Sequence, residues 1–195
     1  MLRLFLAVLL LIAPPVLADK DVFITHDLPS VTVDTDSGPV EIFRIGDTAN
    51  ELWGEWSRTS RPCPPFCIQP INPVEGVETI GELELIEMLQ DPEAIVIDSR
   101  VVSHYLGGTI PGAINIPYDE VTDHLEALGC TPDFDIYDCS NAREVALFCN
   151  GPWCGQSPSA ARFMIAAGYP PELIRYYRGG MQVWRMFGLT VTTPE

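Results

Sequence analysis

The sequence predicts an α/β fold in which helices cover both faces of a parallel sheet. Wholly apolar runs such as Val145–Phe148 alternate with stretches of helical periodicity along residues 76–195. A strand without polar alternation is buried on both faces, and strands separated by helices usually join in parallel. Ligands of such sheets bind at the carboxyl ends of the strands, so these ends hold the candidates for function.

Residues 1–18 have the pattern of a cleaved signal peptide. Arg3 is followed by an apolar run over residues 4–12, and small residues precede a cut after Ala18. The run is shorter than the ~20 residues that span a bilayer. We therefore expect an exported protein, periplasmic or secreted, with no membrane attachment after this segment is removed.

The composition is strongly acidic, with a formal net charge of −16. Such a surface repels nucleic acid and anionic lipid, which excludes both as partners. Solubility alone would also explain the charge. The chain length suits one domain with an appendage.

Residues 19–75 predict a small N-terminal β arm. Residues 31–33 and 41–45 flank the turn sequence Asp36-Ser-Gly-Pro39 and read as a hairpin. Prolines then exclude helix and sheet interior from residues 60–73, here called the proline-rich segment. We expect it to lie as a stiff, extended chain against the main domain.

The first half of the main domain begins with the pattern of a capping box, Thr79 to Glu82. A helix should follow it, with one apolar face formed by Leu83, Leu85, Ile86 and Leu89. A strand over residues 94–97 ends at Asp98. Another short strand covers residues 113–116, and an acidic helix is expected around residues 120–128.

The second half contains two further strands and two helices. The strand of residues 145–148 ends at Cys149, and a helix over 157–167 follows, with Ser157 as its N-cap. The last strand, residues 174–177, leads through Arg178-Gly-Gly into a helix over 181–187. Cys149, Asp98 and Arg178 thus all stand at carboxyl ends of strands.

Cys149 indicates thiol chemistry. It lies at the end of a core strand and below a helix N-terminus, among backbone N–H groups that favour the thiolate. The thiolate is the nucleophilic form of cysteine. We therefore take Cys149 as the candidate nucleophile.

The six cysteines fall into three close pairs: Cys63/Cys67, Cys130/Cys139 and Cys149/Cys154. This grouping fits local disulfides, a metal site or a redox pair. Cys63 and Cys67 could bind Cu(I) or zinc, but no histidine is near in sequence and a disulfide is favoured. No metal is expected, since the three histidines are scattered and read as surface or packing residues.

Two linked stretches resemble the signatures of the rhodanese-like domain. The first runs from Ile97-Asp98-Ser99-Arg100 through Tyr105 to Pro117. The second comprises Cys149 with its loop, Ser157–Ala161 and Tyr177–Trp184. The resemblance covers about residues 76–195, and residues 19–75 resemble only the arm of some exported proteobacterial members of the family.

The resemblance implies a five-stranded parallel sheet flanked by helices and a sulfurtransferase activity. The loop cysteine, Cys149, would carry a persulfide between a sulfur donor and a thiophilic acceptor, each a small molecule or a protein thiol. No cofactor is implied. Asp98 and Arg100 would be a fold-stabilising pair. The anion-binding loop would comprise Asn150, Gly151, Pro152, Trp153, Cys154, Gly155 and Gln156.

The loop departs from the family pattern in two ways. It is about two residues longer, with Gln156 where a cation is expected and no charged residue between Cys149 and Arg162. Thiosulfate, a dianion, should therefore be a poorer donor than a polysulfide or protein persulfide. The second departure is Cys154, which could close a disulfide with Cys149.

Three functional readings remain open on these residues. The first is a sulfurtransferase, the second a thiol–disulfide switch using Cys149 and Cys154, and the third a non-catalytic binding module. Two side chains are equally open in their placement. Arg178 could face the site or the surface, and Trp153 could line a pocket or pack the loop.

Overall fold

The computed structural model describes residues 22–63, 66–134 and 136–194. The predicted signal peptide lies outside the described residues. No helix in the described part of the chain is long and apolar enough to span a membrane.

The described chain contains nine strands in three sheets. An antiparallel hairpin comes first, and a second small hairpin follows the first part of the central sheet. The five parallel strands of the central sheet lie in the order β3-β9-β8-β4-β5. The strands are β1 (Ser30–Val33), β2 (Val40–Phe43), β3 (Glu78–Ile80), β4 (Ile95–Asp98), β5 (Ile114–Asn115), β6 (Thr131–Asp133), β7 (Ile136–Asp138), β8 (Val145–Phe148) and β9 (Ile174–Tyr177).

In the described residues four α-helices accompany the strands: α1 (Glu82–Gln90), α2 (Val102–Leu106), α3 (Gln156–Ala166) and α4 (Gly180–Met186). The predicted α/β class with a five-stranded parallel sheet is confirmed. The predicted strands ending at Asp98 and Cys149 and the strand over 174–177 are also confirmed, as is the first hairpin.

The core fills both faces of the sheet because successive residues of β8 point to opposite sides. Val145 and Leu147 pack with α3 on one face, and Ala146 and Phe148 pack with α1 and α4 on the other. The first hairpin adds Val31, Val33 and Ile42 to the second face. It therefore supplies part of the core instead of lying outside it.

The capping box predicted at Thr79 is wrong. Thr79 belongs to the edge strand β3, where it pairs with Tyr176 of β9, and its hydroxyl donates to the carbonyl of Ile71. The helix begins at Glu82 instead, because the Glu84 carboxylate accepts the Gly81 N–H at 3.0 Å. Leu83 is consequently exposed, whereas Leu85 and Ile86 are buried.

The acidic helix predicted around residues 120–128 is also wrong. Only Val121–His124 is helical, and it is a 3-10 turn followed by further turns. Val121, Leu125 and Leu128 are nevertheless buried against α3 and the sheet. The apolar spacing therefore predicted correctly which residues are buried. The backbone bonds, however, are of the i→i+3 type, such as the bond from Leu128 N–H to the Leu125 carbonyl, and not those of an α-helix.

Helix α3 starts one residue earlier than predicted, and Ser157 is not its N-cap. The Gly155 carbonyl accepts the Ser159 N–H at 3.0 Å, so Gly155 is the cap and Ser157 lies within the first turn. The predicted end is confirmed, since Gly168 follows the last turn with φ +107°.

Candidate active site around Cys149

Cys149 follows β8, the middle strand of the sheet, and opens the loop that leads into α3. The start of α4 holds this loop through two backbone hydrogen bonds. Met181 N–H donates to the Cys149 carbonyl at 3.0 Å, and Gln182 N–H donates to the Asn150 carbonyl at 2.9 Å. Gly180 allows this approach, because a Cβ there would lie only 2.7 Å from the Gly151 nitrogen.

The sulfur atoms of Cys149 and Cys154 are at bonding distance, and their Cα atoms lie 6.1 Å apart. A turn closed by the Cys154 N–H and the Gly151 carbonyl, at 2.9 Å, folds the loop back over Cys149. Only 2% of Cys149 and 5% of Cys154 is exposed. The structure thus holds the candidate nucleophile oxidised and buried, in the Cys149–Cys154 disulfide that the sequence left open beside the thiolate.

Gln156, the first residue of α3, faces this disulfide. Its Oε1 lies 3.5 Å from Cys149 Sγ and 3.7 Å from Cys154 Sγ. The oxygen and nitrogen of a glutamine amide exchange places by a simple flip of the side chain. Gln156 can therefore offer an N–H donor to a negatively charged sulfur, although it brings no charge of its own.

Asp98 and Arg100 form a buried ion pair beside the loop. The Asp98 carboxylate accepts bonds from Arg100 Nε at 2.8 Å and Nη2 at 2.6 Å, and from the Thr109 hydroxyl at 2.7 Å. The Gly108 carbonyl accepts a further Arg100 bond at 2.7 Å. Because nearly all polar atoms are paired, the group can remain charged inside the protein.

Asn150 connects this ion pair to the loop. Its Oδ1 accepts from Arg100 Nη1 at 3.3 Å, and its Nδ2 lies 3.0 Å from His104 Nδ1. His104 projects from the short helix α2, which the sequence analysis did not anticipate. Nothing in the sequence distinguishes His104 from the other scattered histidines, because its partner is 46 residues away.

The proline-rich segment lies directly on the loop. Gln69 N–H donates to the Pro152 carbonyl at 2.8 Å, and the Gln69 carbonyl accepts from Arg178 Nη2 at 2.9 Å. Phe66 forms an isolated antiparallel bridge with Cys154. Arg178, which follows β9, is half-buried and holds the proline-rich segment to the end of that strand.

Arg61 of the same segment supplies a cation that the loop itself lacks. Its guanidinium stacks on Trp153 at 4.7 Å and lies 5.4 Å from the Phe66 ring. Only 11% of its side chain is exposed, and Glu55 lies 3.9 Å away. Trp153 thus packs the loop under Arg61, and no local sequence pattern could have indicated a contact across 92 residues.

A further arginine, half-buried, lies near Arg100. Arg185 of α4 stacks on Trp56 at 4.9 Å. Burial, and then the charge of Arg100, lowers the pKa of Arg185 from its usual value. The positive charge around the loop is therefore provided by neighbouring elements and is largely covered.

The other four cysteines also lie in pairs. The Cα atoms of Cys63 and Cys67 are 4.7 Å apart, and those of Cys130 and Cys139 are 4.2 Å apart, both with sulfurs at bonding distance. The second pair closes the β6–β7 hairpin. Among the described residues no group of three or more His, Cys, Asp or Glu side chains could hold a metal ion.

The family model described as "Rhodanese-like domain" matches residues 82–186, which is more than half of the chain. The chain belongs to the rhodanese-like domain family. The resemblance carried by the Asp98 and Cys149 stretches is therefore confirmed. Cys149 and its loop lie within the matched residues of this rhodanese-like protein.

A curated relative of this rhodanese-like protein is an HTH-type transcriptional regulator, Rv0324, of Mycobacterium tuberculosis. It is 32% identical over 114 residues, which are 58% of this chain and 44% of the regulator. The chain thus spans less than half the length of that relative.

Two solved structures are similar to part of this chain. A rhodanese-related protein from Thermoplasma volcanium is 23% identical, with 60% of this chain and 99% of that chain covered and a TM-score of 0.45. A thiosulfate sulfurtransferase from Pseudomonas aeruginosa is 22% identical, with coverage of 61% and 21% and a TM-score of 0.47.

Proposed function

We propose that this rhodanese-like protein is a sulfurtransferase that carries sulfane sulfur on Cys149, and that the Cys149–Cys154 disulfide is its oxidised resting form. The observation that carries the proposal is the position of the Cys149 sulfur. It lies at the carboxyl end of the central strand, against the first residue of α3 and opposite a second cysteine of its own loop.

The transfer needs Cys149 as a thiolate. The thiolate attacks the outer sulfur of a donor, the sulfur–sulfur bond of the donor breaks, and the remainder of the donor leaves with the electron pair. Cys149 then holds a negatively charged persulfide, which the loop amides and the start of α3 stabilise. A nucleophilic acceptor takes the outer sulfur and returns Cys149 to the thiolate.

Cys154 removes the outer sulfur from a Cys149 persulfide that meets no acceptor. Its thiolate attacks the inner sulfur of the persulfide, a Cys149–Cys154 bond forms and the sulfur–sulfur bond of the persulfide breaks. The outer sulfur takes a proton from water and leaves as hydrosulfide. The disulfide therefore protects Cys149 from irreversible oxidation. A reductant must open it before the next transfer.

The surroundings of the loop favour uncharged or protein-bound donors over thiosulfate. No charged residue lies between Cys149 and Arg162, and the chain carries a formal charge of −16. Arg61 stands over the loop but has Glu55 beside it. A dianion therefore meets little attraction, whereas a polysulfide or a protein persulfide is less affected.

A thiol–disulfide switch is the second candidate function, and the closed Cys149–Cys154 pair is the observation that favours it. In such a protein the state of the disulfide is the signal, and sulfur transfer is secondary. The name of the mycobacterial relative, a transcriptional regulator, is consistent with a regulatory use of this domain.

We also propose that the protein acts outside the cytosol. Three cysteine pairs at bonding distance are typical of an oxidising compartment, and residues 1–18 have the pattern of a signal peptide. Its partners would be a sulfur donor and a thiol acceptor, without nucleic acid or membrane.

Mass spectrometry of the reduced protein tests the sulfurtransferase. After treatment with polysulfide, the wild-type protein should gain one sulfur, about 32 Da, on the Cys149 peptide. Cys149→Ser should gain none, while the matched variant Cys154→Ser should keep its sulfur longer because Cys154 can no longer expel it as hydrosulfide. Transfer of that sulfur to cyanide or a thiol then measures turnover.

Sulfur loading of Cys149→Ser at the wild-type level would refute the proposal. A Cys149 persulfide that forms but never transfers its sulfur to any acceptor would favour the switch.

A further inference from the structure

The disulfide that blocks Cys149 is itself buried, and this raises the question of how it is reduced. We propose that Cys63 and Cys67 form a second redox site, which reduces the Cys149–Cys154 disulfide by thiol–disulfide exchange between Cys67 and Cys154. The proposal extends the proposed function, since the thiolate that it releases is the one that would carry sulfur.

The two disulfides lie on segments that touch. Phe66, the neighbour of Cys67, is paired with Cys154 in an antiparallel bridge. Paired Cα atoms in such a bridge lie about 4.5–5.5 Å apart, and consecutive Cα atoms 3.8 Å apart, so the Cα atoms of Cys67 and Cys154 are at most about 9 Å apart. A disulfide needs a separation below about 7 Å, which a small shift of the segment can provide.

The accessibility of the four cysteines falls in the order that a relay requires. Cys63 is exposed, Cys67 is half-buried, and Cys154 and Cys149 are buried. A protein reductant that needs contact with the sulfur it attacks can reach Cys63 or Cys67. The loop disulfide lies beneath the segment that Gln69 fastens to Pro152 at 2.8 Å.

The exchange conserves atoms and electrons. An external dithiol protein first reduces Cys63–Cys67 and becomes a disulfide itself. The Cys67 thiolate then attacks Cys154 Sγ, a Cys67–Cys154 bond forms, and Cys149 leaves as a thiolate. Finally Cys63 attacks Cys67, the Cys63–Cys67 bond re-forms, and Cys154 leaves and takes a proton from water.

The first attack is directed to Cys154 for two reasons. Cys154 is the member of the loop pair that lies opposite the segment. Attack on Cys154 also releases Cys149 as a thiolate, which the N-terminus of α3, a helix of 11 residues, would stabilise. The relay therefore delivers Cys149 in the form that sulfur transfer needs.

A trapping experiment on the full chain tests the geometry. The variant Cys63→Ser/Cys149→Ser keeps Cys67 and Cys154, and mild oxidation should join them in a disulfide that peptide mapping detects. The matched control, Cys67→Ser/Cys149→Ser, should form the Cys63–Cys154 link to a much smaller extent. No Cys67–Cys154 link, or equal linking in both variants, would overturn the relay.

A kinetic experiment separates a relay from a mere cover. Thioredoxin should reduce the loop disulfide of Cys63→Ser/Cys67→Ser about tenfold more slowly than that of the wild-type protein. A water-soluble phosphine needs no relay. It should reduce the loop disulfide of the double variant at least as fast as that of the wild-type protein. If thioredoxin reduces the double variant as fast as the wild type or faster, the segment is only a cover and the proposal fails.

The same double variant keeps the two proposals distinguishable. After reduction by the phosphine it retains Cys149, and polysulfide should load it as fully as the wild-type protein. If the thioredoxin experiment contradicts the relay but polysulfide still forms a persulfide on Cys149, only the relay is refuted. If no persulfide forms on Cys149 in either protein, only the sulfurtransferase is refuted.

Discussion

Asn150 is the residue through which the buried ion pair acts on the loop of Cys149. Its side chain accepts a bond from Arg100 and meets His104 on the other side, while its own carbonyl is held by Gln182 N–H. Three separate chain segments thus converge on one residue next to the nucleophile, two through its side chain and one through its backbone carbonyl. A loop held in this way needs little reorganisation during the proposed transfer.

Replacement of Asn150 by alanine should therefore affect both stability and loading. Arg100 Nη1 loses a partner inside the protein, which costs about 1–2 kcal/mol of unfolding free energy in urea titrations. Persulfide formation on Cys149 should slow, because the loop is no longer held. His104→Ala is the control: its ring is more exposed and only one bond is lost, so its effect should be clearly smaller. Equal effects of the two variants would contradict the role given to Asn150.

At the scale of elements, the proline-rich segment acts as a cover that two arginines hold in place. Arg178 binds its Gln69 carbonyl, and Arg61, a residue of the segment itself, stacks on Trp153 of the loop. Proline limits the backbone freedom of such a chain, so little conformational entropy is lost when it lies down on the loop. The cover is therefore stable although it has few regular backbone bonds.

Loss of the Arg61 stacking should open the cover. In Arg61→Ala the loop disulfide should react several-fold faster with a phosphine, because a cation–π contact at a covered site contributes about 1–2 kcal/mol. Thiol-specific labelling of Cys149 and Cys154 over time measures this. Arg58→Ala is the matched control, because Arg58 is exposed and its replacement removes the same single positive charge. A similar rate in both variants would mean that charge, and not stacking, governs access.

The elements also show what could be predicted from the sequence. The buried strands and the helix that follows Cys149 carry strong local patterns, and these were correctly predicted. The edge strand β3 has three residues and pairs on one side only. Its Thr79 stands three residues before Glu82, so the sequence resembled a helix cap. The loop also contacts Arg61, Gln69 and His104, which are distant from it in sequence. Local sequence patterns cannot predict such contacts.

At the scale of the whole molecule, the N-terminal hairpin and the family domain share one core. The hairpin places Ile42 among Phe148, Trp184 and the buried face of α1. Its second strand continues into backbone bonds with the end of the chain, where Thr190 N–H donates to the Phe43 carbonyl at 3.1 Å. The predicted boundary near residue 75 therefore divides the sequence by pattern, but the hydrophobic core extends across it.

The shared core leads to a prediction about stability. Ile42 is fully buried, so Ile42→Ala leaves a cavity on the α1–α4 face of the sheet and should lower the unfolding free energy by about 2–5 kcal/mol. The neighbouring Phe43→Ala is the control, since 46% of Phe43 is exposed and its loss should cost clearly less. Urea unfolding followed by tryptophan fluorescence reports on both, because Trp184 lies in the same cluster. If Ile42→Ala unfolds the hairpin alone and leaves the fluorescence transition of Trp184 at the wild-type midpoint, the arm is an independent unit and the core ends at the sheet.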